Sequence, residues 1–325
     1  MHRTFLHYSK HFTASRGCRS YSAGRRLAQR ETSQVPQINT SYANIDLEEF
    51  RHRAFAPEKP LLMKRQPGEV QALPATRKWF VASEKNSNRC DVQYLRQFED
   101  VYLPYELHLD EKGTISLKDS KQEGLLKEIL SHLGERPQHG FHRINAPLSL
   151  FLSAYTLSWP HSLYIAQAQM ADLPKQLQDD LPTPRIVQQA GKGDIYDANI
   201  WMGTLNTYTP LHKDPNPNLF TQIVGEKQVK LYPPAVGRGI FQHVQEQIGQ
   251  NSSATFRGEE MMAGPEALAL ENAVWGNGSD AGRWDGELVA DVDPGDALFI
   301  PKGWWHSIKS FGSQPVTVSA NWWFR

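Results

Sequence analysis

From residue 163 onward the chain breaks into short runs that each suit a β-strand, separated by glycine, proline and polar turn residues. The runs are 163–170, 193–203, 220–224, 228–232, 298–300 and 316–323. Such a series is compatible with a β-barrel or jelly roll and with little else. Gly225-Glu226, between two of the runs, reads as a tight hairpin turn.

The first half of the chain differs. Asp46 with Glu49 has the spacing of a capping box, which predicts a helix over 47–53. A short buried strand is expected at 60–64, a helix at 75–81, and a strand within 97–109. Leu125, Leu126, Ile129, Leu130 and Leu133 lie at helical spacing and predict an amphipathic helix over 124–133; another is expected at 147–155. An N-terminal helical and mixed α+β layer before a mainly β body accounts for these segments. Between 234 and 291 lies a long excursion with a helix expected at 241–248, readable equally as a lid over a site or as an exposed insertion.

Within the strand region, His212 and Asp214 stand two residues apart. In an extended segment such side chains share a face, so an imidazole nitrogen and a carboxylate oxygen can converge. A further histidine would complete a two-histidine, one-carboxylate set with open positions, a geometry suited to non-haem Fe(II). His306 is the candidate, because the turn residues Gly295, Pro301 and Gly303 bracket a short apolar run and deliver it near a strand end. His142, His161 and His243 lack such surroundings and read as structural.

The chain of 325 residues has equal numbers of basic and acidic side chains, 35 of each, but they are unevenly distributed. Residues 1–30 carry seven basic residues (Arg3, Lys10, Arg16, Arg19, Arg25, Arg26, Arg30) and no acid, leaving 28 basic against 35 acidic in the rest. That acidic body argues against phosphate-backbone binding, and no DNA-binding module is evident. The basic opening has the composition of a mitochondrial transit peptide, the alternative being a disordered basic tail on a cytoplasmic or nuclear protein, with 31–42 as a polar linker and folding expected from about Tyr42. Two cysteines are too few for a disulfide framework or a thiolate zinc site. No apolar run is long enough for membrane insertion.

Several of these segments, in this order, resemble the JmjC-domain proteins: 163–167, 199–203, Thr209-Pro-Leu-His-Lys-Asp214, 218–227, Pro294 to Pro301 through His306, and 318–323. The JmjC proteins are cupin-fold oxygenases dependent on Fe(II) and 2-oxoglutarate, and the likeness is to their small single-domain hydroxylases. It spans about 44–325 and implies a double-stranded β-helix, the jelly-roll or cupin barrel, forming one domain from residue 41 to the end.

The resemblance also implies roles. His212, Asp214 and His306 would bind Fe(II), with the remaining positions taken by 2-oxoglutarate and O2. Lys227 would meet the distal carboxylate of 2-oxoglutarate, assisted by Thr209, Tyr164 and Asn218. Spacing alone would place Lys227 on a turn beside Glu226. Trp201, Trp304 and Trp322 are candidates for the pocket wall. The implied reaction hydroxylates a side chain of a protein substrate and releases succinate and CO2. A modified RNA base is the second substrate class, lysine demethylation is an alternative outcome within the family, and a non-catalytic metal or small-acid binding module is the alternative outside it. The aromatic C-terminus offers a surface for a homodimer.

Overall fold

The computed structural model describes residues 33–69, 72–82, 88–109, 117–134, 140–204, 207–249, 262–276, 284–312 and 314–325. Of residues 1–40, expected to be a transit peptide and linker, 1–32 lie outside the described residues. The strands are β1 (Ser33–Gln34), β2 (Gln37–Ile38), β3 (Leu61–Met63), β4 (Phe80–Ala82), β5 (Asn88–Cys90), β6 (Tyr102–Leu109), β7 (Gly140–Pro147) and β8 (Leu163–Gln169). They continue with β9 (Ile195–Gly203), β10 (Tyr208–Lys213), β11 (Asn218–Val224), β12 (Glu226–Tyr232), β13 (Leu288–Val292), β14 (Ala297–Ile300), β15 (Trp305–Phe311) and β16 (Thr317–Phe324).

These strands build a five-stranded sheet in the order β1-β13-β12-β15-β10 and a nine-stranded sheet in the order β2-β3-β14-β11-β16-β9-β8-β6-β7. β4 and β5 form a separate hairpin. From β10 onward the chain passes from one sheet to the other at nearly every connection, as expected for a jelly roll. In β11 and β16 both faces are covered, so the residues are almost uniformly buried even where they are polar, as at Asn218, Gln222, Ser319 and Asn321.

Three apolar clusters hold the layers together. The largest joins one face of the nine-stranded sheet (Leu219, Phe299, Val318, Trp322, Phe324) to the helical layer, including Phe50, Trp79 and Ile186. A second lies where β12, β13 and β14 converge and contains Phe220, Val229, Leu231, Val292 and Leu298. The third packs helices Pro234–Ile248 and Gly264–Trp275 against Leu211, Tyr232 and Trp305.

Most expected elements are present. The helix begun at Leu47 is capped by the Asp46 carboxylate, which accepts from the Glu49 backbone N–H at 2.9 Å, and continues as a π-helical turn over Arg51–Phe55. The amphipathic helix starts earlier than its apolar spacing suggests, at Ser120, because Asp119 caps it.

Four expectations need correction. Gly225-Glu226 is not a hairpin turn: β11 pairs with β14 and β16, whereas β12 pairs with β13 and β15. Gly225 is a corner between sheets, with φ of 74° and no room for a side chain, since a Cβ would sit 2.9 Å from the Val316 carbonyl oxygen. The polar stretch 31–42 is not wholly a linker. Val35 and Ile38 pack into the core while β1 and β2 add to the sheets by parallel pairing with β13 and β3. The helix expected at 241–248 within the 234–291 excursion begins earlier, at Pro234, and the described residues of the excursion also include helix Gly264–Trp275 and the start of β13. The aromatic C-terminus forms an interior strand: Trp322 and Phe324 are buried in the core, which leaves them no part in a dimer surface.

Candidate metal centre

His212 and His306 are register partners on the adjacent strands β10 and β15. Their ring centroids are 4.2 Å apart. Asp214 follows β10 directly, with its carboxylate oxygens 3.9 Å from His212 Nε2 and 3.6 Å from His306 Nε2. One ligand atom from each of the three lies within 4.8 Å of the others, so the sequence-expected triad does converge on one point.

Backbone contacts orient both imidazoles. His212 Nδ1 is 2.9 Å from the Pro210 carbonyl oxygen, and His306 Nδ1 is 3.2 Å from that of Trp304. Donation from Nδ1–H in each case leaves Nε2 with a lone pair directed at the shared point, the tautomer a metal requires. Burial and the neighbouring His212 ring hold the His306 pKa down to about 4, so it is neutral at physiological pH. Asp214 is fixed by a third contact, from Asn218 Nδ2 to its Oδ2 at 2.9 Å. Asn218 Oδ1 in turn accepts from Asn321 Nδ2 at 3.3 Å, and Asn321 Oδ1 accepts from Trp201 Nε1 at 2.8 Å. Three residues of the nine-stranded sheet thus form a polar chain that ends on a ligand beside the five-stranded one.

The triad opens into a cavity of about 620 Å³. Tyr164, Thr209, Asn218 and Lys227 line it too, so every residue expected to hold the metal or the cosubstrate is on its wall. Lys227 is 2% exposed, and among the described residues no carboxylate pairs with its ammonium. Its ammonium lies 5.4 Å from the centroid of the Phe220 ring and 5.9 Å from that of Tyr164. Burial alone lowers its pKa to about 7. Burial likewise raises that of the Tyr164 phenol, which interacts with the Thr209 side chain. An ammonium in such surroundings is costly unless an anion joins it. The Lys227 of the turn reading, paired with Glu226, is therefore not the one observed.

Some details were not visible in the sequence. Asn218, expected to serve the cosubstrate, has one amide hydrogen committed to Asp214. Trp304 and Trp322 do not line the cavity; Trp305 and Trp323 do, along with Trp201. In β16 the one-residue offset from Trp322 to Trp323 reverses the face of the strand. Asn321 was overlooked, although a polar residue at every second position of 317–323 (Ser319, Asn321) marks the interior face.

A donor set of two imidazoles and one carboxylate suits a divalent iron, and the buried lysine, without a carboxylate partner among the described residues, suits a carboxylate on a small bound acid. Residues 116–325 match the family model described as a cupin-like domain. Similar proteins include Lysine-specific demethylase JMJ30 of Arabidopsis thaliana, 27% identical over 161 residues, which are 50% of this chain and 33% of that protein. Lysine-specific demethylase 8 of Danio rerio is 27% identical over 165 residues, 50% of this chain and 36% of that protein. Jumonji C domain-containing protein 5 of Drosophila melanogaster is 25% identical over 296 residues, 89% of this chain and 59% of that protein. The chain therefore spans between about a third and three-fifths of the length of these relatives. With the matched model covering well over half its residues, the chain belongs to the cupin-like domain family, among the JmjC-type oxygenases.

Proposed function

We propose that this protein is an Fe(II)- and 2-oxoglutarate-dependent oxygenase that hydroxylates a side chain of a protein substrate. The observation that carries the reading is the position of Lys227, buried without a carboxylate partner among the described residues, on the wall of the cavity that holds the triad. A metal-binding module that takes no acid would have no use for that lysine.

In this reading His212, Asp214 and His306 hold the iron. Bound iron and 2-oxoglutarate together supply the oxidising chemistry, in which O2 is consumed, succinate and CO2 are released, and one oxygen atom enters a substrate C–H bond. The protein's residues bind and orient. Lys227 neutralises the distal carboxylate of 2-oxoglutarate, and the hydroxyls of Tyr164 and Thr209 are available to donate to it. Backbone carbonyls keep both imidazoles in the ligating tautomer, and Asn218 holds the Asp214 carboxylate in one orientation. Phe220, Ile308 and Trp201 present apolar surface to the cavity and limit water around the reacting groups.

The test is succinate formation. The purified full chain is loaded anaerobically with Fe(II) and 2-oxoglutarate and then given O2 with peptide and protein extracts. Succinate above the level seen with Asp214→Ala supports the oxygenase; its absence with every substrate source sinks it. The names of the relatives give a second outcome for the same site, removal of a methyl group from lysine. Mass spectrometry separates the two, because hydroxylation leaves the substrate one oxygen heavier and demethylation leaves it lighter and releases formaldehyde.

Residues 1–40 are proposed to address the chain to mitochondria, on the strength of their basic, acid-poor opening. A reporter fused to them that stays in the cytosol would refute this.

A further inference from the structure

Thr209 and His212 are three residues apart on one strand, a spacing that in regular alternation would send them to opposite faces. Both line the cavity. A bulge reconciles them. Thr209 pairs with Ile308 and His212 with His306, so Pro210 and Leu211 together face Ser307 alone. Pro210 has no N–H to give to the ladder, and the bulge disturbs the carbonyls beside it.

Ser307 repairs that gap from the far side of the sheet. Its hydroxyl donates to the Thr209 carbonyl oxygen at 2.8 Å. Ser307 Oγ itself accepts from Trp275 Nε1, also at 2.8 Å. Ser307 is fully buried, so no solvent can replace either bond. Trp275 ends the inserted helix Gly264–Trp275, and its ring is flanked by the ammonium groups of Lys230 at 5.1 Å and Lys309 at 5.3 Å. Lys230 donates to the Val274 carbonyl at 2.9 Å and Lys309 to the Glu271 carboxylate at 2.5 Å, which ties the helix to β12 and β15.

We propose that Ser307, clamped by Trp275, is a positioning residue for cosubstrate binding: it holds the β10 bulge that turns Thr209 into the cavity while His212 also faces it. Helix Gly264–Trp275 thereby acts on the site through the Trp275 indole. This rests on the reading above, in which Thr209 contacts the 2-oxoglutarate carboxylate. With metal in place His212 and Asp214 are pinned, so loss of the clamp frees the segment before the bulge.

The experiment measures binding of 2-oxoglutarate by equilibrium dialysis to the full chain loaded with Mn(II), and Mn(II) binding by itself. Ser307→Ala should raise the 2-oxoglutarate Kd about tenfold, and Trp275→Phe, which keeps the ring and removes the donor, about threefold. Mn(II) affinity should change by less than about threefold in both. Thr209→Val should weaken 2-oxoglutarate binding as much as Ser307→Ala, and the double variant should be no worse than the weaker single, because both act through one hydroxyl. Multiplicative losses, or a lowered Tm with 2-oxoglutarate binding intact, would overturn the clamp. If Ser307→Ala does not fold, unchanged binding by Trp275→Phe overturns it alone. Failure of the wild-type Mn(II) protein to bind 2-oxoglutarate would instead remove the functional reading, and the clamp with it.

Discussion

Asn218 Nδ2 donates to Asp214 Oδ2 at 2.9 Å, so a residue of the nine-stranded sheet orients the carboxylate that follows a strand of the five-stranded sheet. The contact spans the corner between β10 and β11. It is also the point at which the Trp201–Asn321–Asn218 chain reaches the metal ligands. Partners of this kind orient a ligand without touching the metal, and their loss costs about 10–100-fold in metal affinity. Asn218→Ala should weaken Mn(II) binding by about that factor, and Asn321→Ala, one step further away, by less. Isothermal titration with Mn(II) gives both values; equal losses, or none, would refute a graded relay.

Metal binding should appear as stability. A ligand that binds only the folded chain adds about 2.7 kcal/mol at a free concentration of one hundred times its Kd. Fe(II) under anaerobic conditions, or Mn(II), should therefore raise the Tm of the wild-type protein and leave that of His212→Ala, Asp214→Ala or His306→Ala unmoved. EDTA should return the wild type to its metal-free Tm. A metal-dependent shift that survives Asp214→Ala would place the ion elsewhere.

Lys227 predicts a pH dependence with a definite sign. Its pKa falls from an ordinary 10.5 in the unfolded chain to about 7 in the fold, because burial disfavours the charged form. Between those values the unfolded state holds the extra proton, so stability of the cosubstrate-free protein should rise as pH increases from about 7 to 10.5. Below about 7 the penalty is fully present; above 10.5 it is gone. Urea melts across this range should show the rise in wild type and a flatter profile in Lys227→Met. Bound 2-oxoglutarate recharges the lysine, so binding at pH 8 should take up a proton, detected as a calorimetric enthalpy that varies with buffer.

Gly237 tests how the inserted helices are seated. A Cβ there would lie 2.1 Å from Cγ of the Trp305 ring, next to the ligand His306. Gly237→Val should destabilise by about 2–3 kcal/mol through overpacking. It should also weaken Mn(II) binding, because the Trp305 ring can yield only by moving β15. Denaturant melts and metal titration of the same variant check both parts. A stable Gly237→Val with unchanged metal affinity would show that the helix shifts freely over the sheet.

Much of the molecule was legible from local pattern. The strand runs, the amphipathic helix after Asp119 and the Asp46 cap follow from periodicity and end-residue chemistry, which act within a few residues of each other. His212 and Asp214 were readable because two ligands at strand spacing share a face. His306 was readable because turn residues on either side of a four-residue strand limit where it can emerge. The resemblance then joined Lys227 and Tyr164 to the same cavity, and both line it.

The sequence by itself determined which side chains could meet a metal and that the body is built from short strands. The tertiary structure decided which strands are neighbours. Residue spacing does not reveal that Gly225 turns the chain into the opposite sheet, because that choice is made by pairing with β13 through β16, tens of residues downstream. Nor does it reveal the bulge at Pro210, which exists only against Ser307, or the commitment of Asn218 to Asp214, which depends on two sheets closing on each other. Side-chain alternation is a property of one strand, whereas register, corners and buried hydrogen bonds are properties of strands in contact.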